Sequence, residues 1–179
     1  MEYPIGIQDF EKLRKGNYVY VDKTDLIYKM VKEGSYYFLS RPRRFGKSLL
    51  ISTLEVYFRG RKEFFEGLRI MKLETEWAEY PVLHLDLNTE KYSSGVDLEN
   101  KLDLFLKQCE ARYGKNPDEY SLATRFEGVI RRAAEKTGRN TVILVDEYDK
   151  PLLQAIGNEA LQDDYRNTLK AFHRFLQYG

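Results

Sequence analysis

The stretch Tyr36-Tyr37-Phe38-Leu39-Ser40-Arg41-Pro42-Arg43-Arg44-Phe45-Gly46-Lys47-Ser48-Leu49-Leu50 decides how this chain reads. Residues 36–39 are a compact apolar run of strand length, and residues 49–58 continue as an apolar helix. Between them, Gly46-Lys47-Ser48 closes a pattern of Gly, any four residues, Gly, Lys, then Ser or Thr. A bare Gly-Lys-Ser arises easily by chance. Strand, loop and helix around it turn a string match into a structural expectation: a loop that cradles phosphate.

The chemistry explains the residue types. Phosphates held away from water need fixed positive charge, which backbone N–H groups at a helix start supply. Gly46 lets the backbone approach closely, with no Cβ in the way. Lys47 reaches the β- and γ-phosphates, Ser48 completes a Mg²⁺ shell, and Leu49 follows them into the helix. Arg41 stands where the first Gly of the pattern belongs. Pro42 pushes it toward an extended conformation, so the strand runs one residue further before bending. Arg43 and Arg44 then face phosphate or a partner, or form a solvated basic loop.

A second motif lies about a hundred residues on. The apolar run Thr141-Val142-Ile143-Leu144-Val145 reads as a strand buried on both faces of a parallel sheet, and it ends in Asp146-Glu147. An acidic pair can simply mark where a buried strand meets solvent. Together with the loop, Asp146 reads as a Mg²⁺ ligand acting through water and Glu147 as the base that activates an attacking water.

The rest of the chain supports an α/β layout. Residues 18–21 are β-prone, and Asp22 or Thr24 caps a helix over 25–32. A strand over 82–87 places Leu83, Leu85 and Leu87 on one face and His84 and Asp86 on the other. Leu98, Leu102, Phe105 and Cys109 stripe a helix, another covers 123–136, and Leu161, Tyr165, Leu169, Phe172 and Leu176 stripe a last one. Alternation of this kind predicts a mostly parallel sheet covered on both sides, with ligands at the carboxyl ends of its strands. Asp86 reads as a strand-end hydrogen-bonding group, His84 as a packed side chain and His173 as a surface one. Asp149 and Lys150 read as a surface pair, and Arg131, Arg132 and residues 59–62 as solvated basic faces.

The 179 residues are 42% hydrophobic and 32% charged, as in a globular domain with a real core. A net charge of +1 argues against an obligate nucleic-acid or membrane partner. The single Cys109 excludes an intramolecular disulfide and suits a reducing compartment. With no secretion signal and no apolar run approaching ~18 residues, the expected location is cytoplasmic.

Tyr20-Val21-Asp22-Lys23-Thr24, the block from Phe38 through Arg-Pro-Arg-Arg-Phe-Gly-Lys-Ser to Ser48, and Val145-Asp146-Glu147-Tyr148-Asp149 resemble the AAA-ATPase-like family of bacterial and archaeal proteins. Pro4-Ile5-Gly6-Ile7-Gln8-Asp9-Phe10 fits as well, so the resemblance spans nearly the whole chain. In this family Arg at the first Gly position looks like the rule. The resemblance implies a P-loop NTPase three-layer αβα sandwich, with ATP and Mg²⁺ as cofactors and Mg²⁺-dependent ATP hydrolysis. It implies Lys47 and Glu147 as catalytic residues, Arg43, Arg44, Phe45, Gly46, Lys47, Ser48 and Leu49 around the nucleotide, and Ser48 and Asp146 on the metal. It also places Asp22-Lys23-Thr24 near adenine or ribose, where a helix cap explains them equally well.

Such a domain has more core strands than are read here, and a polar sensor residue on a later strand. Residues 1–179 are therefore expected to be the N-terminal part of one domain, with later strands and a C-terminal PD-(D/E)XK nuclease-like effector beyond them. The expected partners are a nucleotide, nucleic acid through that effector, and a second copy through an open sheet edge. Two alternatives are a nucleotide-sensing switch that does not hydrolyse and a nucleic-acid-binding module using Arg41, Arg43 and Arg44.

Overall fold

A computed structural model describes residues 2–40, 45–88 and 91–176, with 173–176 by backbone alone. The chain divides into two units, Met1–Tyr80 and Pro81–Gly179.

In the first unit, Asp9 starts helix α1 (Phe10–Lys15) by accepting the Lys12 N–H at 2.8 Å. Helix α2 (Thr24–Glu33) starts at the Asp22-Lys23-Thr24 motif. Asp22 Oδ1 accepts both the N–H and the hydroxyl of Thr24, at 2.9 and 2.7 Å. Asp22 Oδ2 takes the Arg69 N–H, and the fully buried Thr24 hydroxyl oxygen takes the Ile70 N–H. The motif thus bolts α2 to the 3₁₀ turn Arg69–Lys72. Helix α3 (Lys47–Phe58) packs against α1, where the Phe10 N–H donates to Ser52 Oγ. Phe65 is fully buried, with ring centroids of Phe10 and Trp77 at 5.0 and 5.1 Å.

A buried carboxylate sits beside these rings. Glu74 Oε2 accepts the Tyr57 hydroxyl at 2.5 Å and pairs with Lys32 at 3.2 Å, while Oε1 takes the N–H groups of Thr75 and Glu76. Burial raises its pKa, but the Tyr57 and Glu76 hydrogen bonds and the Lys32 ammonium outweigh that and hold it below the usual carboxylate range.

Two strand expectations fail in this unit. Residues 18–21 and 36–39 form no strand. The side chains of Tyr36, Tyr37, Phe38 and Leu39 are exposed, Phe38 to 75%. A strand exists through its neighbour's hydrogen bonds, and no neighbour pairs with this run among the described residues. The Tyr37 hydroxyl instead donates to the Met30 carbonyl, turning the segment back onto α2.

In the second unit, β1 (Val82–Asp86) and β2 (Val142–Asp146) pair in parallel, from Val82 opposite Val142 to Asp86 opposite Asp146. Helices α4 (Gly95–Tyr113) and α5 (Leu122–Thr137) make the crossover a parallel pair requires. A capping box of Ser94 and Asp97 starts α4, and Ser121 with Thr124 starts α5. Leu83, Leu85 and Leu87 are buried as their alternation predicts, and so are Leu98, Leu102, Phe105 and Cys109. Burial pushes the Cys109 thiol up to about 11. In β2, Leu144 and Asp146 are buried while Val142, Ile143 and Val145 are half-buried. Full cover on both faces is not reached, and among the described residues β2 pairs with β1 alone.

Beyond the acidic pair the chain forms a short helix ahead of the striped one. Helix α6 (Lys150–Gln154) ends before Gly157, whose φ of +91° breaks the path, and α7 (Glu159–Leu176) follows. Tyr165, Leu169 and Phe172 bury against α4 and α5, with Phe172 stacked on Phe126 at 4.3 Å. The chain is therefore a mixed helix-and-strand fold with a small parallel sheet, of the α/β kind. Among the described residues no helix is long and apolar enough to cross a membrane.

Candidate functional site

The phosphate-loop segment lies in the first unit. Gly46 precedes α3 with φ +75°, in the left-handed region that glycine adopts at no Cβ cost. Among the described residues, a Cβ built there would meet nothing within 4 Å. No side chain caps this helix start and no acidic residue lies in its first turn. The leading N–H groups of Lys47, Ser48 and Leu49 thus form the positive end of a 12-residue helix whose first turn carries no carboxylate. That arrangement fits an anion. Lys47, Ser48 and Leu49 are half-buried and Phe45 is exposed. Arg41, Pro42, Arg43 and Arg44 lie outside the described residues.

The acidic pair lies in the second unit. Asp146 ends β2 and is buried, and its Oδ1 accepts the Glu147 N–H at 3.0 Å. Glu147 is half-buried with φ +54°, a left-handed conformation that costs a non-glycine residue roughly 1–2 kcal/mol. Its carbonyl accepts the Lys150 N–H at 3.0 Å, closing a tight turn into α6. Asp86 is the register partner of Asp146, and its Oδ1 accepts the Asn88 N–H at 2.7 Å, the strand-end bond anticipated for it. The Leu87 N–H donates to the Asp146 carbonyl, carrying the ladder one residue past β1.

Lys150 departs from its expected place in a surface pair with Asp149. Its Nζ donates to the carbonyl oxygen of Asn88 and, at 3.1 Å, to Asn88 Oδ1. The two loops at the carboxyl ends of the sheet are thereby laced together. The positions of Asn88 and Lys150 carry no local signal, since the residues that meet are 62 apart.

Mg²⁺ keeps several waters and takes one or two protein carboxylates along with substrate phosphates. Asp146, with one oxygen engaged by the Glu147 N–H, suits that modest demand. Among the described residues no group of three or more His, Cys, Asp or Glu side chains is placed to hold a metal, as a caged ion would require. The helix cap expected of Asp22 or Thr24 does not form: Lys23 stands at the N-cap of α2 with no side-chain cap bond, and the Asp22 oxygens and the Thr24 hydroxyl are engaged instead within the motif and with Arg69 and Ile70.

A family model described as "Predicted AAA-ATPase" matches residues 4–178. A relative from Azotobacter chroococcum mcd 1, described as "Uncharacterized protein in vnfD 5'region", is 37% identical over 176 residues, which is 97% of this chain and 34% of the relative. The chain spans about a third of the length of that relative. No solved structure matches.

Proposed function

This chain belongs to the AAA-ATPase-like family, and we propose that it binds ATP through Gly46–Leu49 and supports Mg²⁺-dependent hydrolysis with Glu147. The carrying observation is the uncapped start of α3 behind a left-handed Gly46. There the N–H groups of Lys47, Ser48 and Leu49 hold phosphate oxygens, and the Lys47 ammonium offsets the charge that builds on them. Arg43 and Arg44 add positive charge, and Phe45 flanks the nucleotide. Ser48, by its hydroxyl, and Asp146 are the residues that would hold Mg²⁺, and the ion would supply neutralisation of phosphate charge. Glu147 takes the proton of the attacking water, while the Asp146 carboxylate steadies the backbone from which it works by accepting its N–H.

In this reading the chain contributes to a P-loop three-layer sandwich. The remaining two thirds of a protein of the relative's length leave room for further strands and for an effector that the ATPase regulates. A reducing cytoplasm suits the buried Cys109 thiol.

The test is ATP turnover and ATP binding by the intact protein. Glu147→Gln should lower kcat by on the order of 10²–10⁴ with ATP affinity kept. Lys47→Ala should weaken ATP binding by roughly tenfold or more. Wild-type turnover in Glu147→Gln removes the base, and undiminished affinity in Lys47→Ala removes the site.

A further inference from the structure

The conformation of Glu147 has to be held by something. A non-glycine residue at φ +54° persists only where its surroundings over-determine it. Three contacts do so here. The Glu147 N–H is tied to Asp146 Oδ1, its carbonyl is tied to the Lys150 N–H, and the Lys150 side chain is tied to Asn88. Asn88 is itself fixed by the bond from its N–H to Asp86. The restraint on Glu147 therefore runs through Lys150 into the end of the neighbouring strand.

The choice of residue supports this. Lys150 is the first residue of α6, where a cation opposes the helix dipole and gains nothing locally. Its ammonium is offset instead by two oxygen acceptors, the carbonyl and Oδ1 of Asn88. Pro151 follows, buried, with a φ that suits the first turn, so the helix start is rigid on its other side.

We propose that Lys150 is a positioning residue for Glu147: fastened to Asn88, it keeps the Glu147–Lys150 turn in its left-handed form and so sets where the Glu147 carboxylate acts. This rests on the reading of Glu147 as the general base. Lys150 touches no reacting atom in this role. Its loss should misplace the base rather than weaken nucleotide binding.

The experiment uses the intact protein with Lys150→Met, Lys150→Arg, Asn88→Ala and Glu147→Gln, read by steady-state ATP hydrolysis and by amide hydrogen exchange without nucleotide. Lys150→Met should lose roughly ten- to a hundredfold in kcat with KM for ATP nearly unchanged, because small misplacements of a catalytic group carry penalties of that size. Exchange should quicken at 147–150 and stay unchanged across α3. Lys150→Arg should recover most of the rate, and Asn88→Ala, which keeps the backbone acceptor, should lose only a few-fold. Wild-type kcat in Lys150→Met beside an inactive Glu147→Gln overturns the proposal and leaves the base in place. Wild-type turnover in Glu147→Gln overturns both. If Lys150→Met exchanges faster throughout residues 81–172, the milder Asn88→Ala decides. A lower kcat with exchange altered only near 147–150 supports positioning, and an unchanged kcat overturns it.

Discussion

Residues 81–172 are joined mainly by regular elements, and residues 2–80 mainly by side chains reaching irregular backbone. In the second unit, two parallel strands, their helical crossover and α7 satisfy most of the main chain. In the first, bonds across 42 to 52 residues do this work: Phe10 N–H to Ser52, Arg14 to the carbonyls of Phe64 and Glu66, and Arg69 and Ile70 N–H to Asp22 and Thr24. Backbone outside helices and sheets still needs partners, and polar side chains provide them. The lesson is that periodicity reads a region well only when periodic elements carry its hydrogen bonds.

The largest expected effect tests whether the first unit depends on its rings as the second depends on its crossover. Phe65→Ala should cost about 3–5 kcal/mol in urea unfolding, the usual cost of emptying a buried Phe site. Hydrogen exchange should show protection lost in α1 and α3 more than in β1 and β2. Equal loss in both would mean that the two regions unfold as one, and the contrast would break.

Next is the charge clamp between α4 and α5. Arg125 donates to both Glu110 oxygens, at 2.7 and 3.0 Å, and to Asp103 at 2.6 Å. Arg125→Met leaves the buried Glu110 unpaired and should cost roughly 3 kcal/mol by thermal or urea unfolding. The Arg125 guanidinium holds Glu110 below the usual carboxylate range, and Lys107 with Arg125 does the same for Asp103. A carboxylate lowered on folding adds stability above its unfolded pKa, here ordinarily 4.5 for Glu110 and 3.8 for Asp103. That stability should fall away as pH drops through and below this range. The acid loss should be shallower in Arg125→Met, and an identical pH profile would remove the clamp's electrostatic role.

The smallest effect sharpens the other side of the contrast. Thr24→Val keeps shape but strips the hydroxyl that serves Ile70 and Asp22, leaving a buried N–H unpaired at about 1–3 kcal/mol. Chemical denaturation would measure it. No change would show that the irregular backbone of the first unit does not depend on this staple.

Much of the second unit was legible in the sequence. Leu83, Leu85 and Leu87 alternate, Leu98 to Cys109 recur at helical spacing, and both patterns bury as read. The helix after the loop was legible too, read over 49–58 and found to begin two residues earlier at Lys47, where Gly46 takes a positive φ. The run at 36–39 was not: its composition favours a strand, but pairing depends on a neighbour that local sequence does not specify. The Glu147 backbone and the Lys150 bond to Asn88 were likewise hidden, since one is a local conformation with no composition signal and the other joins distant residues.

By itself, then, the sequence determined the family resemblance, the parallel strand pair over 82–86 and 142–146, the helical stripes of the second unit and the residue types of the loop and the acidic pair, all of which are local patterns of size, polarity and backbone freedom. Only the tertiary structure decided that Asp22 and Thr24 are a staple, that Glu147 sits in a left-handed turn and that Lys150 reaches Asn88. Those outcomes depend on which distant groups the fold brings within hydrogen-bonding distance, about 3 Å, and no window along the chain encodes that distance.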